Sequence, residues 1–196
     1  AFLPVAVWLD LRNLTSDALT NQAKDLSSVI TDFRSYYANS VISKIQAADG
    51  LAIPTHDYLN TKGGIPIPAT LSLELGAVIA ERTKAIKYKF ASDYPFTNRA
   101  AHNLDNFETT ALKEFRAEAT NLDNFRIEHS GDVSTQGVRL ALPVLMGQNC
   151  VKCHNSHPQS TKKDWKVGDV RGLQVITVEQ PIARNLFSFK RSEERR

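Results

Sequence analysis

The chain has 196 residues, 42 % of them hydrophobic, enough for one globular domain that buries roughly 70 % of its unfolded surface. Its 24 basic and 21 acidic residues leave a formal charge of +3, and the basic residues do not cluster with aromatics or glycines, which excludes a nucleic-acid surface. No run of about 20 apolar residues is present to span a bilayer, and two cysteines three positions apart exclude a disulfide framework.

Residues 1–9 (AFLPVAVWL) form an apolar stub that meets Asp10 and Arg12, read either as a membrane helix emerging into water or as a frayed terminus. Residues 11–48 contain no Pro or Gly. Leu26, Val29, Ile30, Phe33, Tyr37, Val41 and Ile45 recur there at three-and-four spacing, which predicts an amphipathic helix. At 1.5 Å per residue it is about 55 Å long, so it must protrude, bend or pair with another chain. Gly50 and Pro54 end it.

Residues 51–70 (LAIPTHDYLNTKGGIPIPAT) hold three prolines and two glycines and predict an ordered apolar loop without helix or central strand. A short helix is expected over 71–83, with Thr70 or Ser72 as N-cap. Ile86, Tyr88 and Phe90 alternate with lysines, as in a half-buried strand. Residues 94–99 (YPFTNR) read as a turn. Residues 105–119 read as a helix with Leu104, Phe107, Ala111, Leu112 and Phe115 on one face. Strands are expected over 124–129 and 137–145, joined through Gly131 and Asp132 as a hairpin. Residues 155–169 form a polar loop, and 172–178 (GLQVITV) the last strand. The fold class expected is α+β with an antiparallel sheet. The organisation expected is a long helix with a membrane-proximal start (1–48), a domain (49–183) and a charged tail or linker (184–196).

Cys150-Val151-Lys152-Cys153-His154 has the C-x-x-C-H spacing of c-type haem attachment. Two thiols separated by two residues reach the two vinyl groups of one porphyrin, and the following imidazole has little freedom to miss the iron. Three other readings stand beside this one. A thioredoxin-like dithiol needs a helix opening beside a parallel βαβ unit, whereas this motif follows an antiparallel hairpin. A zinc site of Cys150, Cys153, His154 and His157 would crowd adjacent ligands and lacks the usual spacing between ligand pairs. The third is a pair of ordinary buried cysteines with a chance His.

Residues 64–70 (GIPIPAT), 94–99 (YPFTNR), 150–158 (CVKCHNSHP) and 164–172 (DWKVGDVRG), in this order, resemble the bacterial extracytoplasmic c-type haem sensor domains with a PAS-like fold. Those domains stand before adenylate or guanylate cyclases and histidine kinases, and one branch is a stand-alone cyanobacterial haem protein. The resemblance spans residues 25–182. It implies one covalent haem c on Cys150 and Cys153, His154 as proximal ligand, and a pocket lined by the first two segments, with Ile67, Pro68, Tyr94 and Phe96. Arg99, Tyr94, Lys163 and Trp165 are the candidates it gives for the haem propionates. In the stand-alone branch a cysteine is the distal ligand, but here both cysteines are already used. His56, in the loop before GIPIPAT, is the candidate sixth ligand, against the simpler reading of a surface residue. Met146 is expected to pack in the core, His102 and His129 to face solvent, and His157 to lie in a surface loop.

The resemblance implies a sensor of redox state or of a diatomic gas (NO, CO or O₂), joined to transmembrane helices and a C-terminal output domain, with the long helix as a possible dimer seam. The competing class is an electron-transfer cytochrome. No Ser-His-Asp set, phosphate-cradling Gly loop or distinctive carboxylate pair supports an enzyme, and any catalysis is expected in the output domain. Because c-type attachment takes place outside the bacterial cytoplasm, a periplasmic or extracellular location on a membrane-anchored protein is expected.

Overall fold

The structure is a computed structural model that describes residues 3–48, 50, 52–118, 124–131 and 135–181. The expected tail at 184–196 lies outside these residues, as do Asp132 of the hairpin and Ala119 of the fourth helix.

The periodicity of the first 48 residues yields α1 (Leu3–Tyr36), a π-helical segment (Tyr37–Ile42) and α2 (Ser43–Ala47). Leu19, Ala23, Leu26 and Ile30, spaced at four, three and four, form the face of α1 that packs on the sheet. Val29 and Phe33, expected on that face, lie exposed beside it. Val29 stands about 100° and Phe33 about 60° to the same side of Ile30, so a small rotation of the helix decides which of them is buried. Among the described residues no helix is long and apolar enough to cross a membrane.

The Pro- and Gly-rich stretch is not wholly loop. Short strands β1 (Ile53–Thr55) and β2 (Gly64–Pro66) pair in parallel, a length at which proline's missing donor can be tolerated at an edge. The helix that follows, α3 (Pro68–Thr83), starts earlier than expected. Its N-cap is Ile67, with no side-chain bond, and Pro68 follows in the first turn, where its fixed φ suits a helix and its missing N–H costs nothing. Thr70 and Ser72 therefore lie inside the helix. Lys84 closes it in the left-handed conformation, at φ 53°. Gly76 lets α3 approach β3 (Ile86–Ala91), since a Cβ there would stand 2.6 Å from the Tyr88 side chain.

Asp105 caps α4 (Asn106–Ala117) in a reciprocal capping box with Glu108. The hairpin strands β4 (Arg126–Gly131) and β5 (Thr135–Leu145) follow, then α5 (Gln148–Ser156) and β6 (Val170–Pro181). The four-stranded sheet is antiparallel throughout, in the order β3-β6-β5-β4. This is the α+β class, with an antiparallel sheet and a long N-terminal helix, that the sequence predicts.

Both faces of the sheet are covered, which explains the near-continuous apolar run of β6. Ile176 and Val178 join Val138, Leu140 and Ile86 beneath α1. Leu173 and Val175 join Ala91, Ala141 and Val170 beneath Ala111, Leu112 and Phe115 of α4. Gln174 is buried between the apolar residues of β6 and is satisfied by α1: its Nε2 donates to the Ser27 carbonyl at 2.9 Å and to Ser27 Oγ at 2.6 Å, and its Oε1 accepts from Arg34 at 3.1 Å.

Candidate functional site

Residues 146–169, between the paired strands β5 and β6, carry the motif. The connection is closed at its base, where Met146 N–H donates to the Asp169 carbonyl and Gly168 N–H to the Met146 carbonyl, both at 2.9 Å. Gly168 takes φ +91°, the left-handed region this turn requires. Met146 is buried, as expected.

Gly147, in extended conformation, precedes α5, and the Val151 N–H bond to its carbonyl makes the first turn. The helix places Cys150, Cys153 and His154 within about 100° of arc, because steps of three and four residues return to one face. Neither thiol is in a disulfide. Among the described residues no three His, Cys, Asp or Glu side chains gather to hold a metal ion, so the zinc set does not assemble. The redox-dithiol reading also lacks its setting, since α5 lies between antiparallel strands and not beside a parallel βαβ unit.

His154 is half-buried. Burial, then the nearby charges of Arg171 and His157, lower its pKa to about 4. The imidazole is therefore neutral at pH 7, the form in which histidine binds metals. Its Nδ1 is buried and has no hydrogen-bond partner. Partial desolvation and the neighbouring Cys150 push the Cys153 thiol up. Two thiols and a neutral imidazole on one helix face, with a buried ring nitrogen still lacking a partner, are a donor set that fits a covalently tethered haem.

Asn155 holds the return of the connection to α5. Its Nδ2 donates to the Trp165 carbonyl at 2.9 Å, and its Oδ1 accepts the Trp165 N–H at 3.0 Å. The YPFTNR turn docks on the same connection through Thr97 N–H to the Gln159 carbonyl and Thr161 Oγ1 to the Pro95 carbonyl, each at 2.9 Å. Phe96 thereby lies against His154, with ring centres 5.0 Å apart, and stacks on His157 at 4.9 Å. His157 is thus half-buried in this stack.

Tyr94 meets Trp165 edge to face at 5.5 Å. Trp165 is buried, and Lys163 is exposed. Arg99, half-buried and lowered by desolvation, reaches Thr70 Oγ1 at 3.5 Å and so joins the turn to the start of α3. Ile67 and Pro68 are half-buried at that start. His56 is exposed, its Nε2 3.0 Å from Asn98 Nδ2 of the turn. The four segments of the resemblance are thus linked in space, with Lys163 pointing to solvent.

His102 differs from expectation: it is half-buried, and its Nδ1 accepts the Ser92 N–H at 3.0 Å. His129 is exposed, as expected. Sequence reasoning missed Arg171, a buried cation between Val170 and Gly172. The available signal was a cation set just ahead of the apolar run 172–178 that the sequence reads as the last strand. A cleft of about 300 Å³, lined by Tyr94, Arg116, Lys162, Trp165, Gly168, Asp169 and Val170, adjoins this connection but contains neither thiol.

The long helix touches the site twice. Asn149 Nδ2 donates to Ser43 Oγ at 2.9 Å, and Tyr37 OH to the Pro66 carbonyl at 2.9 Å, the two ends of the π-helical segment that follows α1.

The sequence model of the Tll0287-like family matches residues 12–179. No curated protein and no solved structure matches the chain.

Proposed function

The chain belongs to the Tll0287-like family, a cyanobacterial haem-sensor-like family, and on this footing we propose that it is a c-type haem sensor domain. The observation that carries the reading is the common face of Cys150, Cys153 and His154 on α5, with the imidazole neutral. Cys150 and Cys153 would each add across one vinyl group. Each thiol would give its proton to the neighbouring vinyl carbon, so the attachment would involve no net oxidation. His154 would hold the iron from the proximal side, and Phe96 shields its ring from water. The bound haem would supply a redox-active iron able to take an electron or a diatomic ligand.

What favours a sensor over a simple carrier is the connection from α5 to the long helix. Ser43 and Tyr37 bond the motif helix and the GIPIPAT segment to a π-helical stretch, a conformation frequent at functional sites. A shift of α5 on ligation would bias that stretch and, through α1, a membrane-anchored output such as a nucleotide cyclase or kinase. The expected location is the periplasmic or extracellular face.

The test is expression in a host able to mature c-type cytochromes, followed by mass measurement and absorption spectra. The expected product is coloured, carries one haem mass, and in its ferrous form binds CO. A colourless product with the mass of the bare chain would falsify the haem reading. A coloured product that refuses CO and passes electrons rapidly between partners would make it a carrier.

A further inference from the structure

If the haem reading holds, two propionate carboxylates need partners, and among the described residues Arg171 is a buried cation with no carboxylate bonded to it. Arg171 is 9 % exposed. One terminal nitrogen donates to Ser92 Oγ, and the other to the Tyr94 carbonyl at 2.7 Å. Both acceptors are neutral. Its guanidinium lies 5.6 Å from the Trp165 ring and 5.8 Å from the Phe90 ring, contacts that orient a cation without neutralising it. The Nε is buried and has no partner.

The carboxylate that attracts Arg171, Asp93, is already held by both terminal nitrogens of Arg116, at 2.6 and 2.7 Å. Arg116 and Arg99 stand close enough to repel Arg171. A buried cation with two positive neighbours, neutral acceptors and a free donor is expensive unless an anion completes it. Arg171 is also near enough to His154 for its charge to act on that ring, and it bonds Tyr94 on the turn that carries Phe96.

We propose that Arg171 anchors the haem, its free Nε donating to a propionate oxygen. This rests on the haem reading above. The competing role is a brace between β6 and residues 92–94, which the bonds to Ser92 and Tyr94 alone would provide. The arrangement also distinguishes Arg171 from the exposed Lys163, since a charge-assisted bond made away from water is the stronger anchor.

The experiment uses the matured, haem-loaded chain with Arg171→Gln and Arg171→Lys. Resonance Raman reads the propionate bending band, and a redox titration reads the potential. Arg171→Gln is expected to shift the band and to move the ferric–ferrous equilibrium at least tenfold toward ferric, about 59 mV for one electron. Arg171→Lys keeps the charge but not the Nε donor, so the band shifts while the equilibrium stays within threefold. A propionate band unchanged in the lysine variant overturns the proposal even if the glutamine variant does not fold. So does a folded glutamine variant with wild-type band and potential. A colourless wild type defeats the haem reading itself, before any Arg171 variant is made.

Discussion

The centre of the Phe96 ring lies 5.0 Å from that of His154, tilted by 55°, and the same ring stacks on His157. This packing belongs to the burial that, ahead of the charges of Arg171 and His157, brings His154 to about 4 from an ordinary 6.5. In a haem-free chain the unfolded state therefore takes up this proton first as the pH falls. The associated stability is present above about 6.5 and is lost progressively down to about 4, up to about 3 kcal/mol at 1.36 kcal/mol per unit. Denaturant titrations of the Cys150→Ser, Cys153→Ser chain should show this loss. Phe96→Ala should move the His154 NMR titration upward. A flat stability across the window, or an unmoved titration, would contradict the assignment.

The Asp93–Arg116 pair predicts a separate acid sensitivity. Burial works to raise the Asp93 carboxyl, but the two bonds and the charge of Arg116 outweigh it and hold the group below its ordinary value of 3.8. The pair's contribution is thus fully present above that value and disappears as the pH falls through the lower folded one. Because both side chains are about one-third exposed, solvent screening limits the effect to about 1 kcal/mol or less. Asp93→Asn should cost this much at pH 7 and nothing in strong acid; an equal cost at both would refute the pairing.

His56 is exposed, and its Nε2 faces Asn98. To reach iron it would have to break that contact and carry its loop inward. His56→Ala is therefore expected to leave the Soret and visible bands of the matured protein in place. Displaced bands would instead assign His56 to the sixth position.

Gln174 predicts the cost of loosening the long helix. Replacing it with Ala removes the partners of Ser27 Oγ and Arg34 within a buried layer. Leaving such groups unsatisfied costs about 1–3 kcal/mol. Chemical denaturation should show a lower midpoint in Gln174→Ala, and amide exchange should quicken around Ser27. Unchanged exchange there would mean that α1 is held by its apolar face alone.

The chemistry-bearing part of the site was legible because it is local. The spacing of Cys150, Cys153 and His154 needs only one helical turn to become a single face. Asp105 and Glu108 likewise declare the start of α4 through a contact three residues long. What was not legible depends on tertiary neighbours. The parallel pairing of Ile53 with Gly64 crosses an eleven-residue separation in a segment whose prolines argue against strands. Val29 and Phe33 are as apolar as Ile30, and only the direction in which α1 meets the sheet decides which is buried. Arg171 is charged, which in a lone sequence argues for solvent. Its burial becomes visible only when Ser92 and Tyr94 are seen to receive it.

The closing of residues 146–169 at their base bears on what the sheet requires of the helix it carries. The β5–β6 ladder runs to the pair Leu145–Val170, and the Met146–Asp169 bond seals it one step further on. Strand registration is therefore complete without any contribution from the helix that carries the thiols. Under the haem reading proposed above, assembly of the scaffold and covalent loading would be separable events, with Cys153 exposed on α5 once the sheet has formed.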